Sequence, residues 1–246
     1  VQVKTPENLP EIIRRAFRVA CSGKPGAVHL QIPEDMLSAE IDPAAVSLHI
    51  EEECRTFPAY PTRPASGLVD NLIETLAKAE NPLIVSGGGV IRSCAGDEVL
   101  AVAERLNIPV CTTMTGQGTM PDDHPLSIGV IGDNGFHTHA NRAMEESDFV
   151  LFVGSRMGSV VTIGWTFPEI TLNKRVAQID INPEIMANNY ENVFSIAGDA
   201  KLVLIDLLDA VPADFDGASY QTWIDHLNAL RSNFWSNAEA LLTNDS

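Results

Sequence analysis

The sequence predicts an α/β fold in which a parallel sheet is covered by helices on both faces. Three observations carry this. From about residue 66 to 212, segments with helical spacing of apolar residues alternate with short, continuously apolar runs. Runs apolar at every position, and not at every second one, belong to strands buried on both sides, as parallel strands are. The run Pro82–Gly89, PLIVSGGG, ends in three glycines, and TTMTGQGTMPDDHPL (residues 112–126) leaves the next apolar run with two more.

Taken in order, residues 1–40 hold a helix and a strand. Leu9, Ile12, Ile13, Ala16, Phe17 and Ala20 repeat at helical spacing behind Pro10. Gly23-Lys24-Pro25-Gly26 is a turn, and Ala27–Ile32 is a strand stopped by Pro33. One helix and one strand make no core, so this part is expected to be the end of a domain lying mostly before Val1. Residues 41–65 carry Pro43, Pro58, Pro61, Pro64 and the glutamates Glu51–Glu53, a linker composition.

The central region, 66–212, opens with Ser66 as N-cap of a helix whose core face is Leu68, Val69, Leu72, Ile73 and Leu76. A strand over 82–86, a helix over about 95–106 and a strand Ile108–Thr112 follow, with Asn107 and Pro109 marking the helix end. A Gly-rich loop, 113–135, leads to a helix over roughly 136–146, the strand Phe149–Val153 and a second loop, 154–172. Strand Arg175–Ile181, a short Pro183-led helix, strand Val193–Ala197 and a helix N-capped by Asp199 complete the rhythm. Residues 213–246 form a linker and a helix whose stripe Tyr220, Trp223, Leu227, Leu230 and Phe234 is a packing face, its partner expected outside this chain.

Composition narrows the function. Sixteen Lys and Arg stand against 33 Asp and Glu, a formal charge of −17, which repels phosphate backbones and disfavours nucleic acid. No apolar run is long enough for a membrane span, and the N-terminus has no signal-peptide layout. Cys21, Cys54, Cys94 and Cys111 are widely spaced with no C-x-x-C, so no metal site is expected, and a reducing cytoplasm fits.

Candidate site residues cluster after strands, where α/β sheets place ligands. Gly87-Gly88-Gly89 follows a strand and precedes a helix, but Arg92 stands where G-x-G-x-x-G needs glycine, and no Walker lysine follows. Thr113, Gly116 and Gly118 leave the next strand, and Gly132-Asp133-Asn134-Gly135 forms a third such loop. Asp180 ends a strand where an acidic residue either accepts from a ribose or caps a turn. Arg156 is a cation at a strand end suited to phosphate or to a surface ion pair. His124, His137 and His139 read as solvent-exposed or loop-stabilising. No nucleophile elbow, H-E-x-x-H or carboxylate pair appears, so the chain predicts a binder of a nucleotide-like group with no catalytic residue of its own.

These residues resemble the thiamine-diphosphate-dependent decarboxylases and carboligases, the acetolactate synthase branch in particular. IIRRAFRVACSGKPGAVHLQIPEDML (residues 12–37) is similar to the end of that family's pyrimidine-binding domain. NPLIVSGGGVIRS, IPVCTTMTGQGTMPDDHPL, QIDINPEI and AGDAK are similar, in that order, to landmarks of its central domain. The resemblance implies a six-stranded, parallel, Rossmann-like central domain that binds FAD in acetolactate synthases, ADP in oxalyl-CoA decarboxylases and nothing in other relatives. It places Gly87, Gly88, Gly89, Thr113, Gly116, Gly132, Gly135, Arg156, Asp180, Asn182, Gly198 and Asp199 where flavin or ADP contacts occur. Two departures stand out. MGSVVTIGW follows Gly154-Ser155-Arg156 in place of Phe-Asp-Asp-Arg, and Asp133-Asn134 replaces a Met-His pair.

The same resemblance implies a 2-oxo acid substrate, thiamine diphosphate and magnesium, and a homodimer or homotetramer in the intact enzyme. Its activating glutamate belongs before Val1, and its Gly-Asp-Gly and Asn-Asn motif after Ser246. GDNG at 132–135 and Asn188-Asn189 match neither the residues nor the spacing. The chain alone is therefore expected to bind no thiamine diphosphate and to be inactive. Two other readings remain: a stand-alone FAD- or nucleotide-binding module of the electron-transfer-flavoprotein type, and a sirtuin-like deacylase, whose four-cysteine zinc site the cysteine spacing disfavours.

Overall fold

The computed structural model of the chain describes residues 1–169 and 173–243. Two compact units divide at Pro61/Thr62, a few residues before the expected start of the central region at 66.

In the first unit, helix α1 (Leu9–Cys21) carries Pro10 in its first turn, where a missing N–H costs nothing. A four-residue α2 (Glu34–Leu37) follows. The strand expected over Ala27–Ile32 does not form. One parallel bridge, Gln2 to Gln31, stands in its place, closed by the Val3 N–H on Gln31 O at 3.0 Å. Apolar alternation alone does not make a strand when no neighbouring strand offers a ladder. No residue of α1 is fully buried, and Phe17 and Val19 are exposed.

The second unit is an α/β sandwich. Its strands are β1 (Pro82–Ser86), β2 (Val110–Thr112), β3 (Ser127–Val130), β4 (Phe149–Val153), β5 (Arg175–Asp180) and β6 (Asn192–Ala197). All pair in parallel, in the order β3-β2-β1-β4-β5-β6. Within β1 and β4 every residue is buried, which explains why β4 and β1 up to Ser86 are apolar throughout.

Alternate strand residues feed two cores. Ile84, Leu151, Ala177 and Ile196 pack with α3 (Leu68–Leu76), α5 (Gly96–Leu106) and α7 (Ala200–Ala210). Leu83, Val85, Val150 and Phe152 pack with α6 (Thr138–Glu146) and α8 (Gln221–Thr243). A short α4 (Gly88–Arg92) follows β1.

Three expectations change here. The N-cap of α3 is Gly67, in the left-handed region at φ 81°, and not Ser66. The loop expected over 113–135 contains β3, which supplies the sixth strand. The stripe of α8 finds its partner within this chain: Trp223 and Leu227 are buried against the second core, and the Trp223 indole donates to Pro82 O at 3.0 Å. Asn107 ends α5 in the left-handed conformation, and the Asp199 carboxylate caps α7 by accepting from the Leu202 N–H, both as the sequence predicts. The last three residues of the expected loop 154–172, and those of 213–246, lie outside the described residues.

Polar pairs tie down the amino edge of the sheet. Asp148, just before β4, accepts the N–H groups of Glu80 and Asn81 at 2.8 and 2.9 Å. Buried Lys174, just before β5, donates to Met144 O, Glu145 O and Ser147 O at 2.6, 2.9 and 2.6 Å and so closes the C-terminus of α6.

Candidate functional site

Because the strands are parallel, every loop that leaves a strand end emerges at one carboxyl edge. The twelve residues singled out in the sequence all lie at that edge, in these loops, at the end of a strand or at the start of the helix that follows. Gly87–Gly89 follow β1, Thr113 and Gly116 follow β2, and Gly132 and Gly135 follow β3. Arg156 follows β4, Asp180 and Asn182 close β5, and Gly198 and Asp199 follow β6. β1 pairs with both β2 and β4, so the chain direction across the sheet reverses between β1 and β4. Open α/β sheets bind ligands at such a switch point.

The loops meet unevenly. Gly89 and Gly154 touch backbone to backbone: a Cβ on Gly89 would lie 2.6 Å from Gly154 Cα, and one on Gly154 would lie 2.7 Å from Val90 N. The N–H groups of Gly87 and Gly89 donate to Val153 O and Gly154 O, each at 2.8 Å. Those glycines therefore seal the seam between the β1 and β4 loops, and two of their three N–H groups face inward. Gly116 packs on Ser86 and Gly87, and its N–H donates to Thr113 O at 2.9 Å. Thr113 is buried and its N–H donates to Ser86 O at 2.9 Å.

At the other end, Gly132 packs on Val160 and Val161, and Asn141 of α6 holds it by accepting its N–H at 2.8 Å. Asp180 accepts the Asn182 N–H at 2.9 Å, and Asn182 accepts from Glu184 N. Gly198 N–H donates to Asp180 O at 3.0 Å. The Asp199 carboxylate is buried, bonded to the Ser93 hydroxyl at 2.7 Å and to Leu202 N at 3.2 Å, so both its oxygens serve the fold. Arg156 is exposed and has no ion pair among the described residues. It is the candidate whose charge remains available to a ligand.

Sequence reasoning missed the residues that hold these loops. Gln178, fully buried in β5, donates to Ser155 O at 3.1 Å and accepts from Asn192 and Ala187. Asn189 donates to Met157 O at 2.7 Å. Ser86 and Thr119 share a buried hydrogen bond of 2.7 Å. A polar side chain in an apolar strand was the readable signal for Gln178, since a buried amide must find partners.

The histidines divide. His124 and His137 stabilise loops by accepting from Leu126 N and Val130 N. His139, expected exposed or loop-stabilising, is buried between His137 and Phe234, with ring centroids 5.2 and 4.6 Å away. Burial, and then His137, push its pKa down to about 4. Gly129, at φ 126°, leaves the room for both rings: a Cβ there would lie 2.6 Å from His137 Nδ1. Cys111 is buried and its thiol pKa is pushed up by desolvation, as a core residue requires. Among the described residues no cluster of three His, Cys, Asp or Glu could hold a metal ion, and no helix is long and apolar enough to cross a membrane.

Comparison with known proteins gives a consistent set of relatives. Residues 69–207 match the family model for the central domain of thiamine pyrophosphate enzymes. A probable acetolactate synthase large subunit from Methanocaldococcus jannaschii is 37% identical over 240 residues, 94% of this chain and 38% of that protein. An acetolactate synthase from Arthrospira platensis is 34% identical over 84% of the chain and 35% of its own length. The acetolactate synthase large subunit of Corynebacterium glutamicum is 30% identical over 94% of the chain and 36% of its own length. The chain thus spans under two fifths of each of these relatives.

Proposed function

Since the chain belongs to the thiamine pyrophosphate enzymes, as their central domain, we propose that it is the middle part of an enzyme that decarboxylates a 2-oxo acid and transfers or ligates the aldehyde unit that remains. The relatives named above are acetolactate synthases, which favours this reading over a stand-alone electron-transfer module. In the intact enzyme thiamine diphosphate supplies an electron sink for the decarboxylation step. The donor set described does not suit that cofactor or its magnesium ion: Gly132-Asp133-Asn134-Gly135 is a turn packed on Val160, and among the described residues no acidic cluster accompanies it. The cofactor-binding side chains are proposed to come from the other domains.

The role proposed for this chain is structural, with a nucleotide position at the carboxyl edge. FAD or ADP would lie over the seam between the β1 and β4 loops. Arg156 would pair with its pyrophosphate, because a guanidinium matches phosphate oxygens in a bidentate way. The exposed, unpaired Arg156 beside the switch point is the observation that carries this reading. At the amino edge Asp148 and Lys174 are both engaged in the fold. Titration of the full-length protein with FAD and with ADP tests it. Binding of one of them, weakened at least about tenfold by Arg156→Ala, supports the site. Binding unaffected by that change, or no binding of either, removes it and leaves a scaffold.

A further inference from the structure

The four cysteines look scattered in the sequence, yet the first unit brings two of them together. Arg14, Arg18 and Cys21 lie at i, i+4 and i+7 on α1 and so form one stripe. Each meets a residue exactly one offset further along the chain. The Arg14 guanidinium donates to Ser47 O at 2.7 Å, Arg18 Nε donates to Glu51 Oε2 at 3.0 Å, and Cys21 Sγ lies 3.6 Å from Cys54 O. The separation is 33 residues in all three cases. The segment around 47–54 therefore runs alongside the helix in a fixed register, and the hydrogen bond from Ala59 N to Cys21 O at 2.8 Å fastens its far end.

We propose that Cys21 and Cys54 form a reversible disulfide, a modification site that fastens this segment to the end of α1. Both thiols are free and partly exposed in the structure. With Cys21 Sγ already 3.6 Å from the Cys54 carbonyl, the two residues are neighbours. Cys54 Sγ itself donates to Glu51 Oε2 at 3.6 Å, and burial together with this carboxylate, kept ionised by Arg18, raises its thiol pKa, so its proton leaves only to base in solvent.

The oxidant is a low-molecular-weight disulfide such as glutathione disulfide. Cys21 thiolate attacks one sulfur of that disulfide, forming a mixed disulfide and releasing one thiolate. Cys54, deprotonated by base in solvent, then attacks Cys21 Sγ and releases the second thiolate. Two protein thiols are oxidised, one small disulfide is reduced to two thiols, and the two protons pass to them.

The test treats the full-length protein with glutathione disulfide until exposed Cys94 has reacted, then cleaves it after its glutamates without reductant. Glu34 and Glu40 separate the two cysteines in sequence, so their fragments stay joined only through a disulfide. The expected result is a joined pair that falls apart on reduction and is absent from Cys21→Ser and from Cys54→Ser. Fragments that separate without reductant while Cys94 carries glutathione would overturn the proposal, as would a joined pair that survives either substitution.

Discussion

Gly154 and Gly89 approach each other through bare backbone, and this contact joins the two loops at the switch point. A methyl group at Gly154 would meet Val90 N and Gly89 Cα, and the residue sits at φ 60°. Gly154→Ala is expected to cost about 2–4 kcal/mol, the sum of a left-handed penalty and overpacking. Denaturant unfolding would show it as a lower midpoint with an unchanged slope. His139 makes a second prediction. Its pKa falls from 6.5 to about 4 on folding, so the unfolded chain takes up the proton first as the pH drops. The stability that depends on the neutral ring is present above pH 6.5 and is lost progressively as pH falls through the interval down to about 4. His137, Asp122 and Arg231 share this environment. Melting temperatures taken from pH 7 to 5 should fall more steeply for the wild type than for His139→Phe; equal slopes would contradict the assignment.

At the scale of elements, the C-terminus of α6 depends on one side chain. Lys174 reaches three carbonyls there, and burial lowers its pKa to about 8. Lys174→Met keeps the apolar stem but removes the charged donor, and about 1.5–3 kcal/mol should be lost. Hydrogen exchange in the last turn of α6 would report it, and unchanged exchange would refute it. Nearly continuous apolar runs, such as β1 and β4, were legible because burial on both faces favours apolar residues at every position. β3 was hidden: Ser127 and Gly129 dilute its pattern, and Pro125 and Gly132 flank it as loop residues do. Conversely, Ala27–Ile32 has the alternation of a strand but only one bridging partner. The edge on which candidate residues gather followed from the parallel order. Which of them are spent on the fold, such as Asp199 on Ser93 and Leu202, depended on contacts between residues far apart in sequence.

For the whole molecule, a net charge of −17 disfavours nucleic acid, so a cation such as Arg156 at the carboxyl edge stands as a local exception suited to a small anionic ligand. The chain supplies an open parallel sheet, a sealed seam between the β1 and β4 loops, and an exposed Arg156 beside it. The side chains that would hold thiamine diphosphate are proposed to lie outside this chain. The isolated chain should accordingly show no magnesium-dependent heat on titration with thiamine diphosphate. The central claim, that this is the middle domain of a thiamine-diphosphate-dependent carboligase, is tested most directly by acetolactate formation from pyruvate in the full-length protein. Product is expected to disappear when thiamine diphosphate and magnesium are removed and to return when both are restored. Turnover that persists without them, or a fully loaded protein that neither decarboxylates nor ligates a 2-oxo acid, would contradict it.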